Sequence, residues 1–112
     1  MKDDRLYLIH ISECIERVEE YIAGGGKAGF MASTLIQDAV LRNLQTMAES
    51  TQRLSDVLKE AHPEVDWYRI SGFRNVLVHD YLGVDLEMVW NIVERDLPDL
   101  KRTIEAMLRD LG

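Results

Sequence analysis

From Leu86 to the C-terminus, apolar residues recur at alternating steps of four and three: Leu86, Trp90, Val93, Leu97, Leu100, Ile104, Met107 and Leu111. That spacing lines one face of a helix and fits no strand. Asp85 stands where a cap is needed. Pro98 sits inside the pattern, removes one backbone donor and crowds the carbonyl of Glu94, so a kink or break is expected there. No stretch of the chain shows a competing strand signal.

The same period appears three more times. Leu8, Ile11, Ile15, Val18 and Ile22 predict a first helix over about Asp4 to Ala23, capped by Asp3 or Asp4 and ended by Gly24-Gly25-Gly26. His10 lies opposite this stripe and reads as exposed; Cys14 reads as a packed small hydrophobe. Gly24-Gly25-Gly26-Lys27 is not the full phosphate-loop pattern and follows no strand, so the segment through Gly29 reads as a connector. Ile36, Val40, Met47, Leu54 and Leu58 predict one long helix from near Ala32 to Ala61, widened by Leu35, Ala39, Leu44 and Ala48. Asn43 and Thr51 interrupt its stripe, so either Asn43 bonds within the core or this face meets a partner. His62-Pro63 closes the helix. A further helix starts near Asp66, with Trp67, Ile70, Arg74, Leu77 and Tyr81 on one face, and Gly83 signals a turn after it. Four amphipathic segments with short connections predict an all-α, antiparallel, up-down four-helix bundle forming a single domain over residues 1–112.

Composition narrows the function classes. A chain of 112 residues with 46% hydrophobic content can bury a core. One cysteine excludes an intrachain disulfide and fits a reducing compartment. The charged N-terminus argues against a secretory signal, and no run approaches the roughly 20 apolar residues that span a bilayer. A cytoplasmic protein is expected. A net charge of -7 disfavours long, nonspecific tracking along nucleic acid, so any RNA contact should be local.

Against that acidic balance, the segment from Trp67 to His79 holds Arg69, Arg74 and His79 and no acid. Arg74, His79 and Tyr81 are spaced Arg, four residues, His, one residue, Tyr. A guanidinium clamps phosphate bidentately, and an imidazole moves a proton near neutral pH. Together they suit phosphodiester cleavage without a metal. On a straight helix, however, His79 lies about 140° round the axis from Arg74. Either the helix frays near Val78, or a second copy completes the site. Asn75, four residues before His79, can hydrogen-bond its ring, and Gly72 on that side leaves room for close approach. Asp80 tunes the imidazole or caps the turn. His10, His62 and His79 have no metal-ligand spacing, and no cofactor is implied.

The run Arg74-Asn75-Val76-Leu77-Val78-His79-Asp80-Tyr81 resembles the signature of the HepT-type toxins of the HEPN superfamily of helical ribonucleases. The Trp67–Gly72 lead-in, Gly83-Val84-Asp85, Val89-Trp90 and Asp96-Leu97-Pro98-Asp99-Leu100 extend the resemblance over most of the chain. The resemblance implies a homodimer whose two motifs meet in a cleft, and a metal-independent endoribonuclease. It implies Arg74 and His79 as catalytic residues, supported by Asn75 and Asp80. It also implies a nucleotidyltransferase antitoxin that attaches AMP to Tyr81. The alternative is a noncatalytic helical adaptor that docks a nucleotidyltransferase or its substrate; cleavage of RNA separates the two.

Overall fold

A computed structural model of the chain describes residues 3–79 and 85–111, without the side chains of residues 74–79. The elements are α1 (Asp4–Ile22), α2 (Gly26–Ala32), α3 (Thr34–Gln52), α4 (Asp56–Glu60), α5 (Trp67–His79), α6 (Leu86–Asn91), a π-helical turn (Ile92–Asp96) and α7 (Leu97–Leu111). There is no strand among the described residues, and the expected all-α class holds.

Three of the starts have a side-chain cap as their local cause. The Asp3 carboxylate accepts from the Leu6 N–H at 3.2 Å at the head of α1. The Ser33 hydroxyl accepts from Ile36 N–H at the head of α3. The Asp85 carboxylate accepts from the N–H groups of Glu87 and Met88 at the head of α6. α1 ends at Ile22, one residue from the expected boundary.

Two boundaries differ from the sequence expectation. The glycine connector is not irregular: Gly26, at φ +57°, turns the chain and α2 follows at once. A side chain at Gly25 would stand 2.9 Å from the Gly29 Cα, so this turn needs glycine. The expected helix from Ala32 to Ala61 is two helices. It stops at Gln52 and restarts at Asp56, with Ser55 as the new cap. The Asp4 carboxylate accepts from the Ser55 N–H at 2.8 Å and from the Ser55 hydroxyl at 2.7 Å, which fixes the break.

Pro98 is the second residue of α7, and the backbone is helical from the π turn straight into it. The π turn precedes it, with the Leu97 N–H bonded to the Ile92 carbonyl. Its wider turn buries Ile92 together with Val89, Trp90 and Val93.

The core joins Leu8, Ile11, Ile15 and Val18 of α1 with Val40, Leu44 and Met47 of α3, and with Leu97, Leu100, Ile104 and Met107 of the last helix. α1 and α3 run antiparallel, since His10 meets Ser50 while Cys14 meets Thr46. Phe30 of α2 packs on Trp90 at 5.6 Å between ring centres. Asn43 is buried and donates to the Ala39 carbonyl at 2.9 Å, so it bonds within its own helix. Thr51 likewise donates to the Ala48 carbonyl. Leu35, one of the residues that widen the apolar stripe, is 79% exposed. His10, expected to be exposed, is half-buried, with its Nδ1 2.6 Å from the Ser50 hydroxyl. It lies at the edge of the stripe rather than opposite it, where α3 reaches over.

Candidate active site

The residues that carry the sequence motif sit on α5, and the start of that helix is held from three directions. The Trp67 indole N–H donates to the carbonyls of Lys59 and His62, at 3.1 and 2.9 Å, tying α5 to the end of α4. The Asp66 carboxylate accepts from the Arg69 N–H at 3.0 Å. The Gln52 side-chain amide donates to the Ser71 carbonyl at 3.0 Å, joining α5 to the end of α3. Ile70 and Phe73 are buried in the core. The helix therefore enters the motif in a fixed rotational setting.

α5 continues without interruption to His79. Positions 74, 75 and 79 thus share one helix, and fraying near Val78 is not seen. Positions 75 and 79, one turn apart, fall on the same side; position 74 stands about 140° round the axis from 79. Asp80 and Tyr81, and the turn expected at Gly83, lie outside the described residues, as do the side chains of Arg74, Asn75 and His79.

Of the two arginines in the acid-free segment, Arg69 has its side chain among the described residues. Arg69 donates from Nε and Nη2 to the two carboxylate oxygens of Asp96, at 3.4 and 3.1 Å. Its guanidinium also lies 5.5 Å from the centre of the Phe73 ring. Asp96, by hydrogen bond and charge, pushes the Arg69 pKa up and holds it cationic. This pairing joins α5 to the end of the π turn. The sequence reading gave Asp96 no part in the site, and residues 27 apart on different helices offer no spacing signal for it.

Elsewhere a groove of about 880 Å³ opens between α1 and α3, lined in part by Tyr7, His10, Glu13, Ser50 and Arg53. Cys14 lies buried beneath it; burial pushes its thiol pKa up, partly offset by the hydrogen bond with Thr46. The neutral thiol is a poor nucleophile. Among the described residues no three His, Cys, Asp or Glu side chains gather where they could hold a metal ion. None of the described helices is long and apolar enough to cross a membrane.

Among the described residues every regular element is helical, and positions 74 and 79 of the sequence motif lie on α5. The family model described as "Ribonuclease HepT-like" matches residues 11–107, and the chain belongs to that family. It is 34% identical over 110 residues to a Methanocaldococcus jannaschii protein called "Gamma-glutamylcyclotransferase and putative RNase". That match covers 98% of this chain and 50% of the relative, so the chain spans about half of that protein. It is also 34% identical to the "Probable ribonuclease HepT" of Thermococcus cleftensis, over 90% of this chain and 92% of that one. The "mRNA nuclease HepT" of Shewanella oneidensis is 25% identical, over 87% of this chain and 90% of that one. No solved structure matches the chain.

Proposed function

We propose that this chain is the toxin of a toxin–antitoxin pair and acts, as a two-fold homodimer, as a metal-independent endoribonuclease. The observation that carries the reading is the continuity of α5 through His79. One copy leaves positions 74 and 79 on different sides of that helix. A second copy meeting the first there supplies a cation and a proton carrier to the same phosphodiester. The names of the relatives support RNA as the substrate.

The reaction is transesterification. The RNA 2′-hydroxyl attacks the adjacent phosphorus, a 2′,3′-cyclic phosphate forms, and the bond to the 5′-oxygen breaks. His79 takes the hydroxyl proton while the partner's His79 gives one to the leaving oxygen. With Arg69 occupied by Asp96, charge on the phosphorane oxygens falls to Arg74. Asn75 orients the imidazole, and Asp80 sets its proton affinity. Tyr81 meets the phosphate and is the acceptor of AMP from a nucleotidyltransferase antitoxin. The added anion occupies the phosphate position and repels RNA.

The test is cleavage of total RNA in EDTA by purified wild type, Arg74→Ala and His79→Ala. Loss of the proton carrier is expected to slow cleavage by about a hundredfold to ten-thousandfold. A variant that cuts at the wild-type rate overturns the assignment. A native mass of one chain overturns the dimer.

A further inference from the structure

Tyr68 stands almost wholly in solvent, at 92% exposure, on a helix whose neighbouring aromatics Trp67 and Phe73 are packed inward. A single exposed tyrosine is ordinary. Its register is what makes this one informative. Positions 68, 72, 75 and 79 follow one another at steps of four, three and four, which is a single line along α5. The line starts at the tyrosine and ends at the histidine of the motif, about 16 Å away.

The first step of the line, at Gly72, is open. Gly72 lies on this line, and a Cβ built there would meet nothing within 4 Å. Arg69, the residue after the tyrosine, is drawn off to Asp96 and Phe73, so its guanidinium does not cover the phenol ring. From the ring to the end of the helix there is no acid. Beyond the ring the charge reverses: Glu64 and Asp66 precede α5 and oppose a phosphate chain there.

We propose that Tyr68 is a base-stacking platform, the outermost subsite of a single-stranded RNA track that runs along α5 to His79. A phenol ring stacks on any base, and the acid-free helix tolerates the backbone beside it. The subsite lies a few nucleotides from the cleaved link and adds affinity without touching the reacting atoms. The inference rests on the ribonuclease reading given above.

The experiment compares wild type, Tyr68→Ala and Tyr68→Trp on a short oligoribonucleotide and on a dinucleotide. Tyr68→Ala is expected to raise KM for the oligonucleotide by roughly fivefold to a hundredfold, with kcat unchanged. Cleavage of the dinucleotide, too short to reach the ring, is expected to stay at the wild-type level. Tyr68→Trp is expected to restore the oligonucleotide KM. An unchanged KM in Tyr68→Ala overturns the proposal, as does an equal loss on both substrates. So does an unchanged KM with a lower native mass, which makes this face a protein contact. Wild type that cuts no RNA removes the ribonuclease reading and this one with it; wild type and Tyr68→Ala cutting alike removes this one alone.

Discussion

Asp96, the last residue of the π turn, grips the guanidinium of Arg69 through both carboxylate oxygens, at 3.4 and 3.1 Å, and so fastens α5 to the final helix. The pair lies partly in solvent, which limits its worth to about 0.5–1 kcal/mol. Asp96→Ala is expected to lower Tm by a few degrees. The loss should shrink at high salt. Thermal melts at low and high ionic strength check both. If Asp96 also keeps Arg69 away from RNA, the variant should bind a noncleavable RNA more tightly, which a titration of 2′-O-methyl RNA would show.

Asp4 and Ser55 make a second long-range tie, and a more protected one. One carboxylate takes both the backbone N–H and the hydroxyl of Ser55. The same hydroxyl accepts from the Leu58 N–H and so caps α4. Hydrogen bonds to a charged group contribute about 1.5–3 kcal/mol. Asp4→Ala is expected to cost about 2 kcal/mol in urea unfolding. Asp4→Asn, which keeps one acceptor, should cost less. Equal midpoints for wild type and Asp4→Ala would remove this contact from the forces that shape the break between α3 and α4.

That break shows where the sequence stops being readable. Residues 53–55 hold no glycine or proline, and the apolar stripe runs on to Leu58, so Ser55, the cap of α4, is the one local sign of an interruption. Its cause is an aspartate 51 positions earlier. The head of α1 and the start of α6 were legible because their caps lie within three residues. The His10 expectation failed because its partner, Ser50, is 40 residues away. At the site, spacing alone gave α5 and placed positions 74, 75 and 79 on it. It could not give the anchoring of that helix by Trp67, Gln52 and Asp96, because every partner lies on another element.

Cys14 gives a prediction with a definite pH sign. The Thr46 hydroxyl lies 3.4 Å from the Cys14 sulfur, and this hydrogen bond offsets part of the effect of burial. Burial, the dominant cause, raises the thiol pKa in the folded state. A raised pKa contributes stability that is complete below the unfolded value and is lost as pH rises through the folded one. Stability should therefore fall above the ordinary thiol range, near pH 8.5. Cys14→Ala should remove that part of the fall, seen as a flatter dependence of the urea midpoint on pH. A thiol reagent should label the native protein slowly and the urea-unfolded protein fast. Rapid native labelling would contradict the burial argument.

A site shared between copies has a signature that one-copy catalysis lacks. If His79 of each chain serves one cleft, a dimer holding a single His79→Ala chain lacks either the base or the acid. Pairing wild type with that variant at equal amounts, by unfolding and refolding together, leaves about a quarter of the dimers intact, as random two-fold pairing requires. Cleavage should then fall to about a quarter of an all wild-type pool at the same total concentration, where independently acting chains give about a half. The refolded mixture must show one native mass, so that the drop reports composition and not aggregation. A value near one half means each chain works alone. Arg74 and His79 would then have to meet within one copy, despite standing on different sides of an unbroken α5.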